Sequence, residues 1–235
     1  MIQTSLVHTP SHAATGLRAA GFWTAVSLSV IVALVSLRFL SGNPLVAGPD
    51  IRPSMVANGW IFVAHAAAAA VALGLGGFQF VGALRRRWPR LHRGSGRGYV
   101  LACLLGALTA LWIAPDASSG RLATFGFSVL AAAWIYTTLT AWRLAVQRDF
   151  AAHRRWMIRS FALTFAAVTL RLQILAVLPF GLTYGDVSQV LAYSAWIPNL
   201  LVVELAFLLA TYRRAAAPGG IQRASSGASG PASSP

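Results

Sequence analysis

Apolar residues in this chain come in long runs rather than alternating with polar ones. Six runs approach the roughly 20 residues that a helix needs to cross a bilayer core. They cover about 20–40, 59–84, 98–115, 121–146, 156–179 and 189–212, the third being short and the fifth interrupted by Arg171. Nothing alternates with period two over a strand's length, which excludes a transmembrane barrel. The pattern predicts an all-α integral membrane protein, a bundle of six transmembrane helices. The membrane domain is expected over 17–214, between a disordered N-terminus at 1–16 and a disordered tail at 215–235. The tail is almost wholly Ala, Gly, Ser and Pro, with too little apolar surface to offset its ordering entropy. His8 and His12 then read as solvated. The first run would pass for a signal peptide, since Val46-Ala47-Gly48 follows it. Its apolar core exceeds the roughly 7–15 residues of a signal segment, so it is read as a retained span.

Composition agrees with the pattern. Of 235 residues only 10% are charged and 57% are apolar, with mean hydropathy +0.64, whereas a soluble domain carries about 25% charge. The net charge of +14 invites a nucleic-acid partner, and placement argues against one. All 19 basic residues are Arg, and most of them sit between apolar runs rather than on one polar face. Arg85, Arg86, Arg87, Arg90, Arg93 and Arg97 follow span two; Arg143, Arg148, Arg154 and Arg155 follow span four; Arg213 and Arg214 follow span six. The opposite loops hold Arg52 and Arg121 with Asp50, Asp116 and Asp186. By the excess of basic residues in cytoplasmic loops, both termini are expected in the cytoplasm. The absence of Lys and the abundance of Ala suggest a GC-rich bacterial genome, and so a multi-pass protein of the bacterial inner membrane. The Arg-rich loops would contact anionic lipid head groups. A homodimer or a respiratory-complex partner is compatible with six spans. The single Cys103 lies in an apolar run and leaves no disulfide framework or cysteine metal site.

Two loops echo each other. His92-Arg93 precedes Arg97 and Tyr99, and His153-Arg154, 61 residues further on, precedes Arg159 and Phe161. Spans two to five are therefore candidates for two hairpins repeated about an axis along the membrane normal.

Ionisable and amide side chains inside a membrane are functional candidates by default. His65, Gln79, Arg171, Asn199 and Glu204 are such positions. On span two, His65, Ala68, Ala72, Gly76, Gln79 and Ala83 form one stripe of small and polar residues, which should face the bundle. On span five, a polar stripe runs from His153 through Met157, Ser160 and Thr164 to Arg171. By helical rise, Arg171 lies about 12 Å and Glu204 about 21 Å below the outer boundary. An Arg171–Glu204 pair is the expected structural use of both. The functional alternative is a polar chamber lined by His65, Arg171, Asn199 and Glu204, with Pro198 loosening span six and freeing a carbonyl.

The motifs Leu91-His92-Arg93-x-x-Gly96-Arg97-x-Tyr99 and His153-Arg154-x-Trp156-Met157-x-Arg159-Ser160-Phe161, with Ala167-Val168-Thr169-Leu170-Arg171, resemble an uncharacterised prokaryotic family. It is a domain-of-unknown-function family of predicted multi-span membrane proteins. The likeness covers roughly residues 55–212. It implies a multi-span helical fold, makes His65, His92, His153, Arg171, Asn199 and Glu204 motif positions, and supplies no activity. The sequence leaves three roles open. One is a redox protein holding haem b or a quinone, with His92, His153 and His65 as ligand candidates. Another is a non-catalytic assembly or scaffold protein. The third is a small-anion or proton transporter using Arg171 and Glu204. No Ser-His-Asp set, carboxylate pair or metal triad points to an enzyme, so a non-enzymatic role is favoured.

Overall fold

A computed structural model describes residues 12–116 and 120–216. The remainder of the tail and His8 lie outside the described residues. Among those described, every regular element is helical. The α-helices are α1 (His12–Ser36), α2 (Arg52–Gly76), α3 (Gly82–Arg87), α4 (Pro89–Ile113), α5 (Arg121–Val146), α6 (Phe150–Thr164), α7 (Ala166–Val177), α8 (Tyr184–Ser194) and α9 (Ile197–Ala215). Helix α1 thus begins inside the stretch expected to be unstructured. Six helical stretches are long and apolar enough to cross a membrane, at Ala19–Ser41, Arg52–Phe80, Pro89–Ile113, Arg121–Val146, Phe150–Phe180 and Tyr184–Ala215. Large apolar side chains such as Leu101, Leu108, Trp112, Val202 and Leu208 point outwards, as lipid-facing helices require.

Two of the spans are composites. Span five breaks at Phe165, where Val168 N–H turns back to the Phe165 carbonyl. Span six breaks at Ala195 and Trp196, and Pro198 explains why. Proline has no N–H, so the Ser194 carbonyl four residues earlier loses its helical donor. Gln173 Nε2 supplies the substitute at 3.2 Å, while Ser194 Oγ returns a 3.2 Å bond to Gln173 Oε1.

The expected loops carrying His92 and His153 are helical. Pro89 opens α4 in its first turn, where a missing N–H costs nothing. Asp149 caps α6 by accepting from Ala152 N, which satisfies one orphan amide. Both histidines therefore ride on rigid first turns.

Helices α2, α4, α5 and α6 form the central bundle. Helix α2 packs along α4, α4 along α5, α5 along α6, and α6 back on α2. This order places α4 and α6 across a diagonal. Outside the bundle, α1 lies on α2 and touches α7, α8 lies on α5, and α9 on α6. The small stripe on α2 allows a close approach at Gly76. A Cβ there would stand 2.6 Å from Phe161 Cδ2 and 2.9 Å from Tyr99 Cε2. Gly76→Ala should therefore destabilise the bundle by about 1–3 kcal/mol through overpacking. Denaturant titration in detergent measures it; an unchanged midpoint would mean that the rings retreat freely.

Candidate functional site

The buried centre is a hydroxyl network on the bundle diagonal. Tyr99, 0% exposed, extends from α4 to α6, where its hydroxyl bonds Ser160 Oγ and Thr164 Oγ1, each at 2.9 Å. From α5, Thr138 Oγ1 bonds Ser160 Oγ at 2.8 Å and Trp134 Nε1 donates to Thr164 Oγ1 at 2.9 Å. Cys103 is buried in the same core. These groups satisfy one another, as a dry interior demands. Trp134 and Thr138 were not singled out from the sequence, since each sits in an apolar run with nothing to distinguish it.

Seven residues towards the Arg-rich end from Tyr99 lies His92, and seven from Ser160 lies His153. Seven residues are two helical turns, so each histidine lies on the same face as the residue above it, about 10 Å further along the bundle. His92 and His153 therefore face the diagonal from α4 and α6, within electrostatic reach of one another and of Arg85 and Arg93 around His92. His153 Nδ1 lies 2.8 Å from the Ala141 carbonyl. A carbonyl only accepts, so Nδ1 carries a proton, and in the neutral ring Nε2 then holds the lone pair. His92 Nδ1 is buried with no hydrogen-bond partner among the described residues. Gln79 belongs to this end as well. Its Nε2 donates to Ser95 Oγ at 3.0 Å, and Ser95 in turn donates to the Leu91 and His92 carbonyls.

His65 stands apart from that pair. It lies 14 residues before Gln79 on the same span, about 21 Å away along the axis. Its Nδ1 is 2.9 Å from the Gly106 carbonyl, which again leaves Nε2 with the lone pair. Arg171 is close enough for its charge to be felt at this imidazole.

The expected Arg171–Glu204 pair does not form. Glu204 instead makes a bidentate pair with Arg159, Nε to Oε1 at 2.6 Å and Nη2 to Oε2 at 2.7 Å. Helical counting gives the reason. Arg159 lies ten residues into the span from Asp149, and Glu204 eleven residues before Ala215, so both stand about 15–17 Å from the Arg-rich end. Arg171 is a further twelve residues along, about 18 Å towards the opposite end. Arg159 was not recognised from the sequence as the partner of Glu204; the matched counts from the Arg-rich end are the signal that could have found it. Its guanidinium lies over the Trp156 and Phe207 rings, 4.8 and 4.9 Å from their centroids. Arg171 Nη1 donates to its own helix at Ala167 O, 2.9 Å, and Nη2 to Ser36 Oγ of α1, 3.3 Å.

Asn199 has a third set of partners. Its amide bonds Thr169 Oγ1 at 3.0–3.1 Å and donates to the Ala162 and Ala195 carbonyls beside the two helix breaks. The four residues expected around one chamber are therefore divided. His65 meets α4 at Gly106, Arg171 is held by its own helix and by α1, Asn199 ties the broken helices through Thr169, and Glu204 belongs to Arg159. No group of three or more His, Cys, Asp or Glu able to hold a metal ion occurs among the described residues.

No curated protein and no solved structure matches this chain. A family of membrane proteins does, over residues 62–207, which takes in His65, both His-Arg motifs, Arg159, Arg171, Asn199 and Glu204. With more than half its length so matched, and six helices fit to cross a bilayer, the chain belongs to the family described as predicted membrane protein (DUF2306).

Proposed function

We propose that this chain is a membrane redox protein whose Arg-rich end holds haem between His92 and His153. The observation that carries the reading is that two histidines face one bundle diagonal, each with a ring nitrogen uncommitted. His153 is locked by Ala141 in the tautomer that leaves Nε2 free, the orientation that a carbonyl partner gives a metal-ligating histidine. The buried, orphaned Nδ1 of His92 also marks a ring that the protein itself does not use. Helical membrane bundles hold cofactors with side chains from facing helices, and paired neutral imidazoles suit haem iron. Bound there, haem would supply one-electron transfer.

The chain's own residues do the rest. Tyr99 and Ser160 fix the diagonal spacing beneath the site. Arg85 and Arg93 near His92 offer cations to the two carboxylates that haem carries. Gln79 and Ser95 hold the start of α4 against the end of span two. By the bias of Arg in the loops this end faces the cytoplasm, and the Lys-free composition suits a bacterial inner membrane.

The visible spectrum of protein purified in mild detergent from haem-supplied cells tests the reading. A Soret band near stoichiometric haem is expected. His153→Ala and His92→Ala should each abolish or shift it while the melting temperature stays near the parent's; His65→Ala should leave it unchanged. A colourless parent, or a His153→Ala spectrum identical to it, would sink the proposal. The second reading, a packing and assembly role, rests on the completeness of the Tyr99 network and would then stand.

A further inference from the structure

The chain contains five acidic residues, and each is engaged away from Arg171. Asp149 caps α6, Glu204 pairs with Arg159, and Asp186 caps α8 through Thr183. Asp116 accepts from Asn58, and Asp50 lies beside Gly185 and Tyr184. Arg171 is nonetheless half-buried, about 13 Å below the end of its span by helical rise. Its neighbour in charge is another cation, Arg38. The two protein acceptors it has are neutral oxygens, the Ala167 carbonyl and the Ser36 hydroxyl. Ser36 spends its own proton on Val32 O at 2.7 Å, so its lone pair is what steadies the guanidinium. A guanidinium does not shed its proton, and one held in an apolar layer without an anion is costly. None of the chain's Asp or Glu side chains therefore balances Arg171, which leaves its charge open to an anionic ligand.

His65 narrows its chemistry. Nδ1–H is spent on Gly106 O, so the imidazole turns a lone pair, not a proton, away from α4, and it does so within the field of Arg171. A fully deprotonated oxyanion would be repelled by that lone pair. An oxyanion with one acidic hydroxyl would give its charged oxygens to Arg171 and Arg38 and its proton to Nε2.

We propose that Arg171, Arg38 and His65 form a binding site for a phosphate group bearing an acidic hydroxyl, at the Asp-bearing end between α1, α2 and α7. Free hydrogen phosphate and the phosphomonoester head group of a lipid share this chemistry. The site stands at the opposite end of the bundle from His92 and His153, and nothing in it depends on haem.

The test uses the full chain, purified free of phospholipid, with melting temperature as readout. The probes are inorganic phosphate and phosphatidic acid, against phosphatidylcholine as control. The parent should be stabilised by at least one of the two phosphate probes, and Arg171→Gln should lose that gain. A response to inorganic phosphate assigns a free oxyanion; a response to phosphatidic acid alone assigns a lipid head group. Arg38 is exposed, so Arg38→Gln should fold even if Arg171→Gln does not, and it should bind the effective probe about tenfold more weakly, the worth of a charge-assisted contact. A parent indifferent to both probes would overturn the site. So would an Arg171→Gln variant, or failing its folding an Arg38→Gln variant, that responds like the parent.

Discussion

Tyr99→Ala should be among the most damaging single substitutions in this protein, costing about 3–5 kcal/mol as large-to-small changes in a packed core do. The side chain is wholly buried and is the physical strut between α4 and α6. Truncation leaves a cavity on the diagonal and strips a partner from both Ser160 and Thr164. Tyr99→Phe separates these two losses. It keeps the ring and removes the hydroxyl, so about 1–3 kcal/mol should go, the cost of unsatisfied buried polar groups. Denaturant unfolding in detergent gives both values. If Tyr99→Phe costs as much as Tyr99→Ala, the strut acts through its hydrogen bonds alone. If neither costs anything, α4 and α6 are held apart by other means.

Arg159→Leu should come next, at about 2–3 kcal/mol. Removing one partner of a buried pair strands the other charge, a loss of roughly 3–5 kcal/mol when burial is complete. The lower figure reflects the 39% exposure that Glu204 keeps. Mutating Arg159 to Leu together with Glu204 to Gln should recover much of the loss, because no charge is then left alone. The same cycle with Arg171→Leu in place of Arg159→Leu should show additivity within about 0.5 kcal/mol, since residues without shared partners do not couple. Coupling between Arg171 and Glu204 would mean that the two reach each other after all.

How much of this was legible in the sequence differs from residue to residue. The six spans were, because apolar run length is set by bilayer thickness and needs no tertiary information. Pro198 also announced its break, since the missing N–H is a local fact. The break at Phe165 was not visible, as no Pro or Gly marks it. The His92 and His153 segments looked like loops because they are polar. At a membrane boundary, however, a helix can continue for several turns past the apolar core, and Pro89 and Asp149 were the start signals to trust. The pairing of Glu204 failed for another reason. The apolar run of span six begins near residue 189, whereas its helix starts at Tyr184, so Glu204 lies about 8 Å deeper than the run implies. Counting from the nearer end brings Arg159 and Glu204 level.

The clasp between Gln173 and Ser194 changes what Pro198 means for the molecule. In lipid a carbonyl robbed of its donor has no water to turn to, so the proline does more than interrupt a helix: it exports one of span six's internal bonds to span five. Any residue that restored an N–H at 198 would reclaim the Ser194 carbonyl and leave the Gln173 amide unmatched. The two outer half-spans are thus tethered by a vacancy in the backbone, and straightening one helix would cast off the other.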